Sequence, residues 1–65
     1  MTRMKARRLA LGLSQQDLAN RTGLWVSDIS RIETRRLVPY AGQAQRIAGV
    51  LGLEPSELQD EDVAR

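Results

Sequence analysis

Side chains able to do chemistry are few in this 65-residue chain. There is no cysteine and no histidine, so thiolate nucleophiles, imidazole bases and Cys/His metal centres are all excluded. Five of the eight acids (Glu54, Glu57, Asp60, Glu61 and Asp62) bunch near the end without a partner base, and no glycine-rich phosphate loop is present. No enzyme, no cofactor and no small-molecule ligand is expected from this set. What remains is guanidinium chemistry. Nine arginines and one lysine supply the positive charge, and the planar guanidinium fork matches phosphate and carboxylate bidentately. The placement is uneven. Residues 1–36 hold eight basic groups against three acids, and residues 37–65 hold two against five. A basic half points to a polyanionic partner, and an acidic half to a face turned away from it.

The polar groups best placed to meet such a partner fall on one segment. In a helix from about Val26 to Glu33, Ile29 and Ile32 share one face. Val26, Ser27, Ser30 and Arg31 fall on the other.

The elements that must position that face are helical. Sixty-five residues make one domain, read as residues 1–59 with a frayed acidic tail at 60–65. A chain this short buries only about 60% of its unfolded surface, so helix packing, self-association or a longer parent chain must reinforce it. No apolar run approaches the roughly 20 residues of a membrane span. The basic start lacks the uninterrupted apolar stretch of a signal peptide, so a cytoplasmic location is expected. Strand alternation is absent. A first helix is predicted over 2–11, with Met4, Arg8 and Leu11 on one face and Leu9 beside it. Gly12 stops it. Ser14-Gln-Gln-Asp17 resembles a capping box and opens a second helix over 15–22, ended by Gly23. Leu24 plugs the turn before the helix at Val26. The basic segment Thr34–Pro39 reads as a loop, because Pro39 biases Val38 away from helix. A further helix from Tyr40 or Ala41 to Leu51 carries Ala44, Ile47, Ala48 and Leu51 at helical spacing. Pro55 starts a fifth, short helix over 54–58.

Gln15 to Glu33 (QQDLANRTGLWVSDISRIE) meets several demands together. Two helices crossing steeply over a short turn need a small residue at the crossing, and Ala19 is there. The turn needs a residue tolerant of positive φ, and Gly23 follows four positions later. Leu18, Leu24, Ile29 and Ile32 fill the junction. With GLSQQDLA (12–19), TGL (22–24), ISRIE (29–33) and IAGVLGLEPSEL (47–58), the chain resembles the phage-repressor and Cro-like helix-turn-helix family, the xenobiotic-response-element type, from Met4 to Leu58. The resemblance implies an all-α, compact five-helix lambda-repressor-like domain. In it, the helix over 26–33 enters the major groove of DNA and the helix over 15–22 lies across the backbone.

The resemblance also assigns roles. Val26, Ser27 and Arg31 take the base-reading positions, flanked by Asp28 and Ser30. Arg31 is suited to a bidentate grip on guanine O6 and N7, Val26 to a thymine methyl, and Asp28 to a cytosine amino group or a water. Gln15 is placed to bond phosphate and to buttress the reading helix, with Gln16, Trp25, Arg35 and Arg36 as further phosphate contacts. Arg8 and Glu33 match a buried structural ion pair. Two departures stand out. Trp25 replaces the usual small polar cap, and its indole cannot accept the capping hydrogen bond. It is read either as a partly buried plug, as a group stacked near the sugar-phosphate backbone, or as a partner's anchor. Thr34-Arg35-Arg36 replaces the glycine-bearing loop that often follows the equivalent of Glu33.

The implied function is a sequence-specific DNA-binding transcription regulator of bacterial or phage type, nucleoid-associated, with repression as the expected mode. A homodimer on a palindromic operator is expected, with half-sites about 34 Å apart and Leu53, Leu58 and Val63 as candidate dimer contacts. The alternative is a protein-interaction module, such as an antitoxin or adaptor, anchored by Trp25 beside Leu37 and Val38.

Overall fold

The computed structural model describes residues 1–63. Among them the chain forms four α-helices: α1 (Arg3–Ala10), α2 (Gln15–Thr22), α3 (Val26–Glu33) and α4 (Ala41–Leu51). The expected fifth helix is a single 3₁₀ turn, Pro55–Glu57. Pro55 supplies a start there, but Leu58 is drawn into the core directly after it, and three residues are too few for α-helical bonding.

Each α-helix begins and ends on local signals. Thr2 caps α1, its hydroxyl accepting from the Lys5 N–H. Ser14 caps α2 in a full capping box. The Asp17 N–H donates to the Ser14 hydroxyl, and the Ser14 N–H donates to the Asp17 carboxylate, both at 2.9 Å. The shorter aspartate arm therefore reaches as well as a glutamate would. All four α-helices close through a left-handed residue, at Gly12, Gly23, Arg35 and Gly52. At the end of α3, the Arg36 N–H reaches Arg31 C=O (2.9 Å) and the Arg35 N–H reaches Ile32 C=O (3.2 Å), the paired bonds of a Schellman ending. A leucine follows each closure (Leu13, Leu24, Leu37 and Leu53) and packs against the core.

The core is one cluster. Met4 of α1, Leu18 and Ala19 of α2, Ile29 and Ile32 of α3, and Ala44, Ile47, Ala48 and Leu51 of α4 converge with Leu58. Each fully buried isoleucine or leucine contributes about 1.5–3 kcal/mol. The helix-turn-helix pair α2 and α3 packs together, and α4 backs α1 and α2.

The first helix departs from expectation. Met4 and Arg8 point inward, but Leu9 and Leu11 are exposed. Met4 enters the core, Arg8 turns inward to Glu33 and the Leu13 carbonyl, and Leu11 lies at the cap where the chain turns away. The acidic end also differs from a frayed tail through Asp62. Thr2 and Glu61 form an isolated antiparallel bridge. The Arg3 N–H donates to Asp60 C=O (2.8 Å), and the Asp62 N–H donates to Met1 C=O (2.9 Å). Of the candidate dimer contacts, Leu58 is buried in this chain's own core, Leu53 packs against it, and Val63 is exposed.

Candidate nucleic-acid interface

A buried polar junction fixes α3 to the rest of the molecule. Arg8 grips Glu33 bidentately, through Nε to Oε2 at 2.6 Å and Nη2 to Oε1 at 3.1 Å. Their side chains are 7% and 1% exposed. Gln15 Nε2 donates to the same Glu33 Oε1 at 3.0 Å. Arg8 Nη1 donates to Leu13 C=O (2.7 Å), and the buried Thr2 hydroxyl donates to Glu33 C=O (3.1 Å). One carboxylate thus ties α1, α2 and α3. Among the described residues no buried side-chain nitrogen or oxygen lacks a partner, which is the condition for such a junction to be tolerable.

This base holds the far side of α3 open. Val26, Ser27 and Arg31 are exposed, and Asp28 and Ser30 are half-buried. Arg31 Nη1 lies 3.9 Å from Asp28 Oδ1, with 62% of the Arg31 side chain accessible. The α3 N-terminus has no side-chain cap. Trp25 is 79% exposed, so it does not plug the domain. Leu24 fills the hole instead, and the extended backbone at position 25 carries the indole outward.

The remaining predicted contacts divide. Gln16 is exposed and donates to Asn20 Oδ1 (3.0 Å). Arg36 is exposed, without an ion pair among the described residues. Arg35 is committed elsewhere: its Nε donates to Gln59 C=O (2.9 Å), and its Nη2 meets Glu61 at 3.2 Å. Glu61 also receives the Met1 ammonium at 2.6 Å. These two cations, the ammonium foremost, hold the Glu61 carboxyl below its ordinary range. The tail thereby neutralises Arg35, and Glu57 neutralises Arg3.

Several contributing residues escaped the sequence reading. Gln59 Nε2 donates to Ile32 C=O and Leu37 C=O, closing the α3 end. Arg7 Nε does the same for α4 at Leu51 C=O. No spacing rule announces such long-range bonds. Arg46, counted with the acidic half, lies beside the turn, with its Nη1 3.8 Å from where a side chain on Gly23 would begin. Thr2 carried a legible signal, as a threonine directly before a helix.

The result is a packed pair of helices on a polar lock, with one helix presenting a polar, arginine-bearing face. Residues 2–60 match the family described as a helix-turn-helix domain. Neither a curated protein nor a solved structure matches the chain. With nearly the whole chain covered, the protein belongs to the helix-turn-helix domain family, a family of DNA-binding domains.

Proposed function

We propose that this protein is a sequence-specific transcription regulator, acting as a repressor, that reads the major groove with α3 and binds a palindromic operator as a homodimer. The observation that carries this reading is the outward face of α3. Val26, Ser27 and Arg31 project from a helix locked at its other end by the Arg8–Glu33–Gln15 junction. Such a face suits base-edge contacts, with Arg31 on a guanine and Val26 on a thymine methyl. Gln16, Trp25 and Arg36 flank it as phosphate contacts. A domain of this size makes few contacts alone, so a second copy on a symmetric site supplies the rest.

Two measurements test it. Affinity for random duplex DNA should fall steeply between about 50 and 200 mM salt; a flat response sinks the proposal. Arg31→Ala should cost about 1–3 kcal/mol on the preferred site and relax choice at one base pair. An equal loss on random duplex would make Arg31 a phosphate contact. A protein-interaction role, as antitoxin or adaptor, is the second reading. It is favoured by the exposure of Trp25, Val38 and Tyr40, and salt-insensitive duplex binding would move the assignment there.

A further inference from the structure

Three helical segments of this chain close their N-termini in the same way. At the third position of α2, the Asp17 carboxylate accepts the N-cap N–H of Ser14 at 2.9 Å. In α4, Gln43 accepts from Tyr40 at 2.9 Å. In the 3₁₀ turn, Glu57 accepts from Glu54 at 2.9 Å. Asp28 holds that same third position in α3, with the same carboxylate as Asp17. Its N-cap, Trp25, offers a backbone N–H in the same extended conformation as Ser14, Tyr40 and Glu54, and its side chain caps nothing. Asp28 nevertheless makes no bond back to Trp25. Its Oδ1 faces Arg31 Nη1 across 3.9 Å instead. An acid that would serve as a cap elsewhere in this chain is here turned toward an exposed arginine.

The consequence follows from helix geometry. Side chains on a helix lean toward its N-terminus, which carries the Arg31 guanidinium over the turn that holds Asp28 and Ser27. A carboxylate 3.9 Å from the guanidinium attracts it as a charge, beyond hydrogen-bond reach, and leaves its N–H donors free to face outward. It also reduces the rotamer freedom that a free arginine loses on binding. The same negative charge repels phosphates, which weakens attachment to DNA of the wrong sequence.

We propose that Asp28 is a positioning residue for Arg31: its carboxylate, left out of the helix cap, orients the guanidinium toward a guanine edge, trading non-specific affinity for selection of a G·C pair. This rests on the DNA reading proposed above and names what sets its selectivity. The neutral variants Asp28→Asn and Asp28→Ser test it. Duplexes would be compared that carry each of the four base pairs at the position relaxed by Arg31→Ala, together with a random-sequence duplex. The wild type should prefer guanine there by about 5- to 150-fold. Both neutral variants should lower that preference at least about threefold, while binding the random duplex as tightly as the wild type or more tightly. In the Arg31→Ala background, Asp28→Asn should leave base preference unchanged.

Unchanged guanine preference in both variants overturns the proposal. So does a loss of preference that persists without Arg31. Weaker random-duplex binding by both variants overturns it too, since that marks a structural role. Wild-type protein that binds no duplex overturns the DNA reading itself, and this one with it.

Discussion

Arg8 and Glu33 form the one ion pair among the described residues with both side chains buried. Each is a charge taken almost wholly out of water, and each is tolerable only because the other answers it. Arg8→Ala should therefore cost about 3–5 kcal/mol, since Gln15 alone then faces the buried carboxylate. Thermal denaturation followed by circular dichroism should show a collapse of the melting transition, of the order expected when a small domain loses that much stability. Replacing both partners together, as Arg8→Met with Glu33→Leu, should recover most of the loss, because no orphan charge remains. A double variant as unstable as Arg8→Ala would mean that the pair contributes more than mutual neutralisation. Spacing within one helix reveals Met4 and Arg8 on a common side, yet it gives no sign that the arginine faces in while Leu9 and Leu11 face out. That choice is made by Glu33, 25 residues away.

At the scale of elements, helix ends matter more than helix interiors. Gly23 closes α2 at φ 72°, a conformation that an L-residue adopts at a cost of about 1–2 kcal/mol. Its neighbour Arg46 is an ordinary van der Waals distance away, so conformation rather than crowding decides the outcome. Gly23→Ala should therefore destabilise the domain by about 1 kcal/mol or more. Gly49 lies inside α4, exposed, with open space where a methyl group would go. Gly49→Ala should stabilise by about 0.5–1 kcal/mol. Opposite signs in urea denaturation check the pair, and equal signs would contradict the account. Arg35 is the exception among the four closures. It takes φ 62° without being glycine, and its side chain is held by Gln59 C=O and Glu61. Local pattern located α2 and the end of α4 because their caps and stops are written in neighbouring residues, Ser14 with Asp17, Gly23 and Gly52; α3, which lacks such a cap, was located by the spacing of Ile29 and Ile32. Local pattern also placed a fifth helix at Pro55 that the burial of Leu58 cuts to one turn.

Across the whole molecule, residues 1–3 meet residues 60–62, and the charge polarity of the sequence is rearranged by that meeting. The tail that looked like a separate acidic end is joined to residues 1–3 and to Arg35. Glu61 has its pKa lowered from an ordinary 4.5 by the Met1 ammonium and by Arg35. Asp17 has its pKa lowered from 3.8, chiefly by the Ser14 backbone N–H. A depressed carboxyl pKa contributes stability above its ordinary value and loses it as pH falls through the folded value. The melting temperature should therefore drop on acidification below about pH 4.5. Glu61→Gln should flatten that drop while leaving the salt dependence of DNA binding in place; an unchanged acid profile would argue against the tail contact in solution.

The sequence by itself determined the four α-helices, the core stripe of Ile29, Ile32, Ile47 and Leu51, and the outward set of Val26, Ser27 and Arg31. All of these follow from periodicity and from caps a few residues away. Only the tertiary structure decided which charges remain free, that Trp25 stands outside, and that Asp28 turns from its cap to Arg31. Those outcomes depend on partners distant in sequence, or on a choice between acceptors equally near, and neither is encoded in spacing.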